Sequence, residues 1–442
     1  MLGTMTRVNQ ELPIRTAAGR SIAFPSIMAL SALLGIAFVA LVKPGIPYDE
    51  PSHWLNVLYF ASHHRIPTIG DPSVSYEAQQ PPLAYVVAAL VEGPVRVLTS
   101  LKGGFYAARI VGGVEWLVAL VFAWRILGRL VPASSVGRPV AFAFLALNPM
   151  LLAMAWSVQN DSLALLLGFA AIDYALTVGR RSIDGLHGAV LGAIVAAGVL
   201  TKLTDWALVV AIPLWLVLVP RARRPWRAVL AFGGSLAVLS GWWFIRNMVL
   251  YGDPLGRGKA AAESGGFGPY PLSGLHSLAH VTENVITYLW LPTEYWRNVV
   301  HASGAVKGLV LVMSLVILVV GLIAHVHSVE RRPGADPVPG FDDTGPWSEA
   351  WSLVIVTGTV AFVAWLFLYF GWSALAPRLA YLALPLWAGL VGLTARAVGT
   401  LAPRIRPAIP MSAVAVMLAL CAWSLYAIHG ADTPWLFIKH LS

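Results

Sequence analysis

Residues 82–100 read PLAYVVAALVEGPVRVLTS, and whether this stretch crosses a bilayer decides the architecture of the whole chain. It lies among eleven apolar runs, at 24–43, 105–128, 139–157, 160–178, 187–201, 204–220, 227–248, 305–328, 350–371, 376–398 and 408–428. Glu92, Gly93, Pro94 and Arg96 interrupt it. The interruption leaves about ten clean apolar residues, short of the roughly 20 that a span needs. The stretch is therefore expected to lie on the outer membrane surface. Six segments then share a side with the amino terminus: 1–23, 125–138, 180–186, 221–227 (RARRPWR), 329–349 and 396–406. That half holds 17 Lys/Arg and 8 Asp/Glu, and the other half holds 13 of each. The whole net charge of +9 falls on one side, as the positive-inside rule expects of the cytoplasm. A spanning 82–100 would carry RARRPWR outside.

The composition fits this reading. Of 442 residues, 58% are hydrophobic and 12% charged, whereas soluble domains carry about 25% charge. Mean hydropathy is +0.72. So few charges could not cover a water-soluble surface, which excludes soluble enzymes and nucleic-acid binders. Cys421 is the single cysteine, so no intrachain disulfide can form. The expected class is an all-α polytopic membrane protein of about eleven transmembrane helices. Residues 1–23 form a cytoplasmic amino terminus with Arg7, Arg15 and Arg20, and 24–428 the membrane module. Residues 429–442 form an extracytoplasmic tail. The inner segment 329–349 is Pro-, Gly- and Asp-rich and reads as a linker. Two long outer loops, 44–104 and 249–304, are the expected seat of function.

The first outer loop opens with KPGIPYDEPSHWLNVLYFASHHRIP (43–67). Prolines 44, 47 and 51 oppose a helix across Asp49-Glu50. From Ser52 on, Trp54, Leu55, Leu58, Tyr59 and Ala61 have helical spacing, with His53, Asn56, His63 and His64 opposite. That pattern predicts an amphipathic helix at the interface. Adjacent carboxylates at a membrane boundary repel and lose hydration, which favours a raised pKa in at least one. They serve as a general base or as a solvated turn that caps the helix. SYEAQQPPLAYVVAAL (75–90) then offers Tyr76, Glu77, Gln79, Gln80 and Tyr85, the partners that sugar hydroxyls require. Pro-Pro there is also ordinary helix-start chemistry.

Three further stretches stand out: NPMLLAMAWSVQNDSLALLLG (148–168), GWWFIRNMVLYGDPLG (241–256) and APRLAYLALP (376–385). Together with the acidic pair and the Tyr-Glu…Pro-Pro-Leu-x-Tyr stretch, they resemble the GT-C membrane glycosyltransferases. The similarity is to the bacterial relatives of protein O-mannosyltransferases and of the lipid A aminoarabinose transferase. It covers most of the chain in order. It implies a GT-C-type bundle with interfacial helices in the first outer loop, in the bacterial inner or plasma membrane. It also implies a polyprenyl-phosphate-linked sugar donor, inverting transfer on the extracytoplasmic face, and a catalytic base in the Asp49-Glu50 pair. APRLAY departs from the Gly-Arg-Tyr form of such a late motif.

A donor of this class needs cations at the outer interface. Lys202, Arg246, Arg297 and Arg378 stand at outer span ends or in outer loops, as phosphate ligands or as residues snorkelling to headgroups. Asp205, three residues after Lys202, is a possible helical partner for it. Asn160 and Asp161 are expected at the acceptor or donor, or as a helix cap, and Asp253 as a turn residue. No histidine spacing matches a metal-ligand set, and a divalent cation is left as a possible cofactor. The mechanism implied uses Asp49 as base, with Glu50, Gln79 or Gln80 positioning substrate. The acceptor is a lipid, glycan or protein hydroxyl. Two other readings are a lipid or solute transporter and a glycan polymerase or ligase. Charges gathered at the outer face, with none near the middle of a span, weigh against transport.

Overall fold

The computed structural model describes residues 22–47, 49–132, 135–179, 183–218, 225–264, 286–292, 302–330, 349–372 and 377–428. Among these there is no strand. The first helix, α1 (Ala23–Leu41), is followed by α2 (Glu50–His63), a 3₁₀ turn at Tyr76–Gln79, α3 (Leu83–Leu98) and the 30-residue α4 (Leu101–Leu130). Next come α5 (Gly137–Ala146), α6 (Pro149–Ala155), α7 (Asp161–Val178) and α8 (Gly185–Val199). A 3₁₀ turn at Leu203–Asp205 leads into α9 (Trp206–Leu218), then α10 (Pro225–Tyr251) and α11 (Arg257–Ser264). The last helices are α12 (Gly304–Glu330), α13 (Glu349–Trp372), α14 (Leu384–Leu401), which follows a 3₁₀ segment at Pro377–Ala383, and α15 (Ile409–Ile428).

Among the described residues, eight helices are long and apolar enough to cross a membrane. The three other expected spans coincide with shorter or broken elements. α5 and α6 form a pair bent by 46°, and α8 and the 203–218 segment are apolar but short. The bend has a local cause. Pro149 cannot donate to the helix that precedes it. Asn148 caps the new helix, accepting from the Met150 and Leu151 amides at 2.9 and 3.3 Å. Residues 82–100 form a 16-residue helix outside the set of span candidates, with Pro94 inside it and Leu90, Val97 and Leu98 exposed.

α4 is the central post. It packs against α1, α3, α5 and α7, while α8 packs closely along α10. At the α8–α10 crossing, Gly188 and Gly192 face the backbone of Ala228 and Phe232. A Cβ at either glycine would collide with that backbone. Small residues four apart are the usual means for two membrane helices to approach so closely.

One expectation fails here. Glu115 lies halfway along α4 and is buried, so a charged residue does sit at mid-span. Charge placement along the spans therefore does not weigh against transport.

Candidate functional site

At one end of the bundle the chain breaks its helical regularity in several places at once, and the polar side chains converge there. α1 ends at Leu41, and Asp49 takes a left-handed backbone conformation, φ 62°. A non-glycine residue there costs roughly 1–2 kcal/mol, so something must hold it. The restraint is Glu50. Its carboxylate is fully buried and accepts four hydrogen bonds: Arg109 Nε (2.8 Å) and the Val158 amide (3.0 Å) on Oε1, Arg109 Nη2 (2.7 Å) and the Gly45 amide (2.9 Å) on Oε2. Arg109, also buried, donates to the Val42 carbonyl at 2.7 Å. Glu50 and Arg109 thereby tie the end of α1, the start of α2, α4 and the loop before α7 into one knot. Asp49 and Glu50 are adjacent in sequence but face different surroundings. The Asp49 side chain does not cap α2.

Asp49 points into a cluster instead. Its Oδ2 accepts from Arg378 Nη2 at 2.8 Å, and its Oδ1 accepts from the Tyr76 hydroxyl at 3.2 Å. Arg378 reaches on to Asp161 Oδ2 at 3.5 Å, and Asp161 Oδ1 accepts from Lys202 Nζ at 2.7 Å. The result is a chain of alternating charge, Asp49–Arg378–Asp161–Lys202, at most 9% exposed at any member. The partner of Lys202 is Asp161 rather than Asp205, because Lys202 is extended at the end of α8 and not helical.

Glu77 lies beside this chain. One of its oxygens meets Gln80, while Oε2 finds no hydrogen-bond partner among the described residues. Burial first, then the charge of Asp49, pushes its pKa up to about 7. Burial also raises Asp49 above the ordinary carboxylate value, against the pull of Arg378 and Lys202. Lys202 is lowered by burial and by Arg378, and Asp161 opposes the shift. Gln79 Oε1 and Asn160 Oδ1 are buried and, among the described residues, likewise unpartnered. The Asn160 amide nitrogen donates to Gln80 Oε1 at 3.5 Å and to the Thr201 carbonyl at 3.4 Å.

The histidines resolve differently from expectation. His53 is not a solvated interfacial group. It is 3% exposed on the face of α2 turned toward the cluster, with Nδ1 2.6 Å from the Tyr85 hydroxyl. Burial and the nearby Lys202 and Arg378 hold it neutral, well below the usual histidine value, and burial keeps Tyr85 protonated. The polar face of α2 therefore turns inward at His53 and Asn56, while His63 and His64 are exposed. Sequence spacing could mark the face but not what it meets.

Arg246 stands apart from the cluster. Its guanidinium donates to the Pro67 carbonyl at 2.7 Å and to Asn247 at 3.1 Å, and lies over the Trp243 ring. It ties the end of α10 to the first loop. Asp253 accepts from the Leu255, Arg257 and Gly258 amides and shapes the turn before α11. Arg297 and most of loop 249–304 lie outside the described residues, as do the 1–21 segment, most of the 329–349 linker and the 429–442 tail.

The carboxylates do not form a ready divalent-metal site. Oxygens of Asp49 and Asp161 are engaged by Arg378 and Lys202, and His53 Nδ1 is held by Tyr85. Among the described residues no group of three His, Cys, Asp or Glu is placed to hold an ion.

No protein-family model and no curated protein sequence matches the chain. Solved structures do. The Archaeoglobus fulgidus oligosaccharyltransferase in complex with zinc and sulfate aligns over 92% of this chain, with TM-score 0.55 and 11% identity. Its apo form aligns over 93%, with TM-score 0.52 and 12% identity. The chain spans about half the length of these archaeal structures, 54% and 55%. ArnT from Cupriavidus metallidurans bound to undecaprenyl phosphate aligns over 87% of this chain and 79% of its own at 17% identity, with TM-score 0.38. The likeness to the archaeal structures makes the architecture the all-helical GT-C fold, and its long apolar helices are those of an integral membrane protein.

Proposed function

We propose that this protein is a membrane glycosyltransferase that moves a sugar from a polyprenyl-phosphate donor to an acceptor hydroxyl on the extracytoplasmic side. The observation that carries the proposal is the buried chain Asp49–Arg378–Asp161–Lys202, drawn from four separate parts of the sequence to one end of the bundle. A fold shared with a glycan-transferring enzyme supports it.

Asp49 is the base. The acceptor hydroxyl gives its proton to an Asp49 oxygen as its own oxygen forms a bond to the sugar C1. The bond from C1 to the phosphate oxygen breaks on the opposite face, which inverts the anomeric centre. The electron pair leaves with the polyprenyl phosphate, whose growing charge Lys202 and Arg378 receive. Cations aimed at the place where charge develops stabilise the transition state more than the ground state. Without donor, these two cations are occupied by Asp49 and Asp161. An arriving phosphate competes for them, draws Arg378 from Asp49 and leaves that carboxylate more basic. A leaving phosphate needs no proton at neutral pH, so one essential carboxylate suffices.

Glu50 serves by structure: its four hydrogen bonds leave it no capacity as a base. The buried oxygens of Glu77, Gln79 and Asn160 offer acceptors to the hydroxyls of a sugar. Tyr76 orients Asp49, and Tyr85 does the same for His53. Arg246 binds the first loop rather than phosphate.

Purified protein incubated with a panel of radiolabelled polyprenyl-phosphate sugars should consume at least one label when an acceptor-containing membrane extract is present, and the same assay with chelator reads whether a divalent cation takes part. If no donor of this class is consumed while a lipid-linked oligosaccharide is, the chain is a glycan ligase instead.

A further inference from the structure

The transfer chemistry gives Tyr85 a histidine to orient but leaves that histidine without a task. His53 is buried beside Lys202, Arg378 and Asp161, whose charges act on it. Its Nδ1 lies 2.6 Å from the Tyr85 hydroxyl, and the two rings stack with centroids 5.6 Å apart. Its Nε2 makes no hydrogen bond among the described residues.

The proton on this ring can be placed by accounting for partners. Tyr85 is buried and keeps its phenolic proton, which needs an acceptor. The hydroxyl has two polar neighbours among the described residues, His53 and Asn56. Asn56 Oδ1 has no partner there, so Asn56 meets the hydroxyl through its N–H, which can only donate. The phenolic proton therefore goes to His53 Nδ1. Burial and the two cations keep the imidazole neutral. A neutral ring that accepts at Nδ1 carries its one proton on Nε2. His53 is thus a fixed, uncharged N–H donor at the edge of the cluster.

We infer that His53 is a third ligand of the donor phosphate, giving an Nε2–H hydrogen bond to the oxygens that Lys202 and Arg378 also claim. The inference rests on the donor reading above and adds a contact to it. An imidazolium in this place would repel both cations, whereas the neutral ring adds a donor without adding charge. The proton stays on Nε2 throughout, and the hydrogen bond strengthens as charge gathers on the leaving phosphate. Tyr85 is a positioning residue. Without its hydroxyl the proton can move to Nδ1 and turn a lone pair toward the phosphate.

Nitrogen NMR of the full chain in detergent, with isotopically labelled histidine and undecaprenyl phosphate as ligand, tests this. The signal that His53→Gln removes should show its proton on Nε2, and undecaprenyl phosphate should shift that N–H. His53→Leu should weaken undecaprenyl phosphate binding by roughly tenfold or more, the scale of a hydrogen bond to a charged group. His53→Gln, whose amide can donate, should recover part of the loss. Tyr85→Phe should let the proton exchange between the two nitrogens and weaken binding as well. Thermal unfolding checks that each variant folds, and if His53→Leu does not, the wild-type proton position and Tyr85→Phe decide. A proton on Nδ1, or wild-type affinity in His53→Leu, overturns the inference and leaves the donor reading standing. Failure of the wild type to bind undecaprenyl phosphate overturns both.

Discussion

Asp49 and Glu50 are chemically near-equivalent and adjacent, yet the backbone sends them into different surroundings. One carboxylate is saturated by an arginine and two amides, while the other faces two cations that a phosphate can claim. The pair was legible in sequence as an acidic doublet after the first span. Which member faces the site was not, because the left-handed turn at Asp49 depends on Arg109, 59 residues from Glu50. Glu77 adds a pH signature. Its pKa is raised from 4.5 to about 7, so the folded state favours its protonated form. Stability is contributed fully below about pH 4.5 and is lost as pH rises through about 7. Replacing Glu77 with Gln should flatten that decline in the thermal unfolding midpoint between the two values. Glu77 is still neutral where Asp49 loses its proton, so the same variant should leave the acid limb of donor turnover in place. A limb that moves would mean that Glu77 already carries charge there, against its raised pKa.

Helices carry these residues into place by a few long-range ties. The Glu50–Arg109 pair joins α1, α2, α4 and the loop before α7. Breaking a buried ion pair by removing one partner typically costs about 3–5 kcal/mol. Arg109→Ala should therefore lower stability by that order and misplace Asp49, so turnover falls although Arg109 touches no substrate. Unfolding in denaturant read beside turnover distinguishes this from a purely local effect, in which stability would stay at the wild-type level. A second tie is steric. The Trp156 ring fills the space beside Gly35 of α1 and Gly113 of α4, and a Cβ at either would overlap it. Gly113→Val should destabilise by about 1–3 kcal/mol, as overpacking does, and Gly113→Val with Trp156→Leu should recover part of the loss.

At this scale the sequence was informative about where helices lie. Apolar runs set them, and the boundaries of α1, α4, α7, α12 and α15 fall within a few residues of the runs. It was silent on partners such as Asp49 and Arg378, which stand 329 positions apart. The inward turn of His53 was equally hidden, since a polar helix face can meet water or a buried site and the spacing is the same.

Across the whole molecule, the arrangement predicts which ends face which compartment. The described arginines 125, 129, 138, 227, 396, 404 and 406 fall at the end away from the Asp49 cluster. By the positive-inside rule, the expectation is that this end is cytoplasmic and the cluster extracytoplasmic. Cys421 is buried, so single cysteines can be introduced over a quiet background. In intact spheroplasts a membrane-impermeant thiol reagent should label Ser73→Cys and leave Pro403→Cys unlabelled until the membrane is opened. The reverse pattern would put the cluster in the cytosol and remove an extracytoplasmic donor from the account.

The proposal turns on whether Asp49 does the chemistry or only holds Arg378. Turnover of the accepted polyprenyl-phosphate sugar by wild type and by Asp49→Asn, with donor binding measured on the same samples, answers this directly. The amide variant should still bind donor and should transfer its sugar roughly 10²–10⁴-fold more slowly, the range for loss of a positioned base. Transfer at the wild-type rate with donor bound would contradict the account.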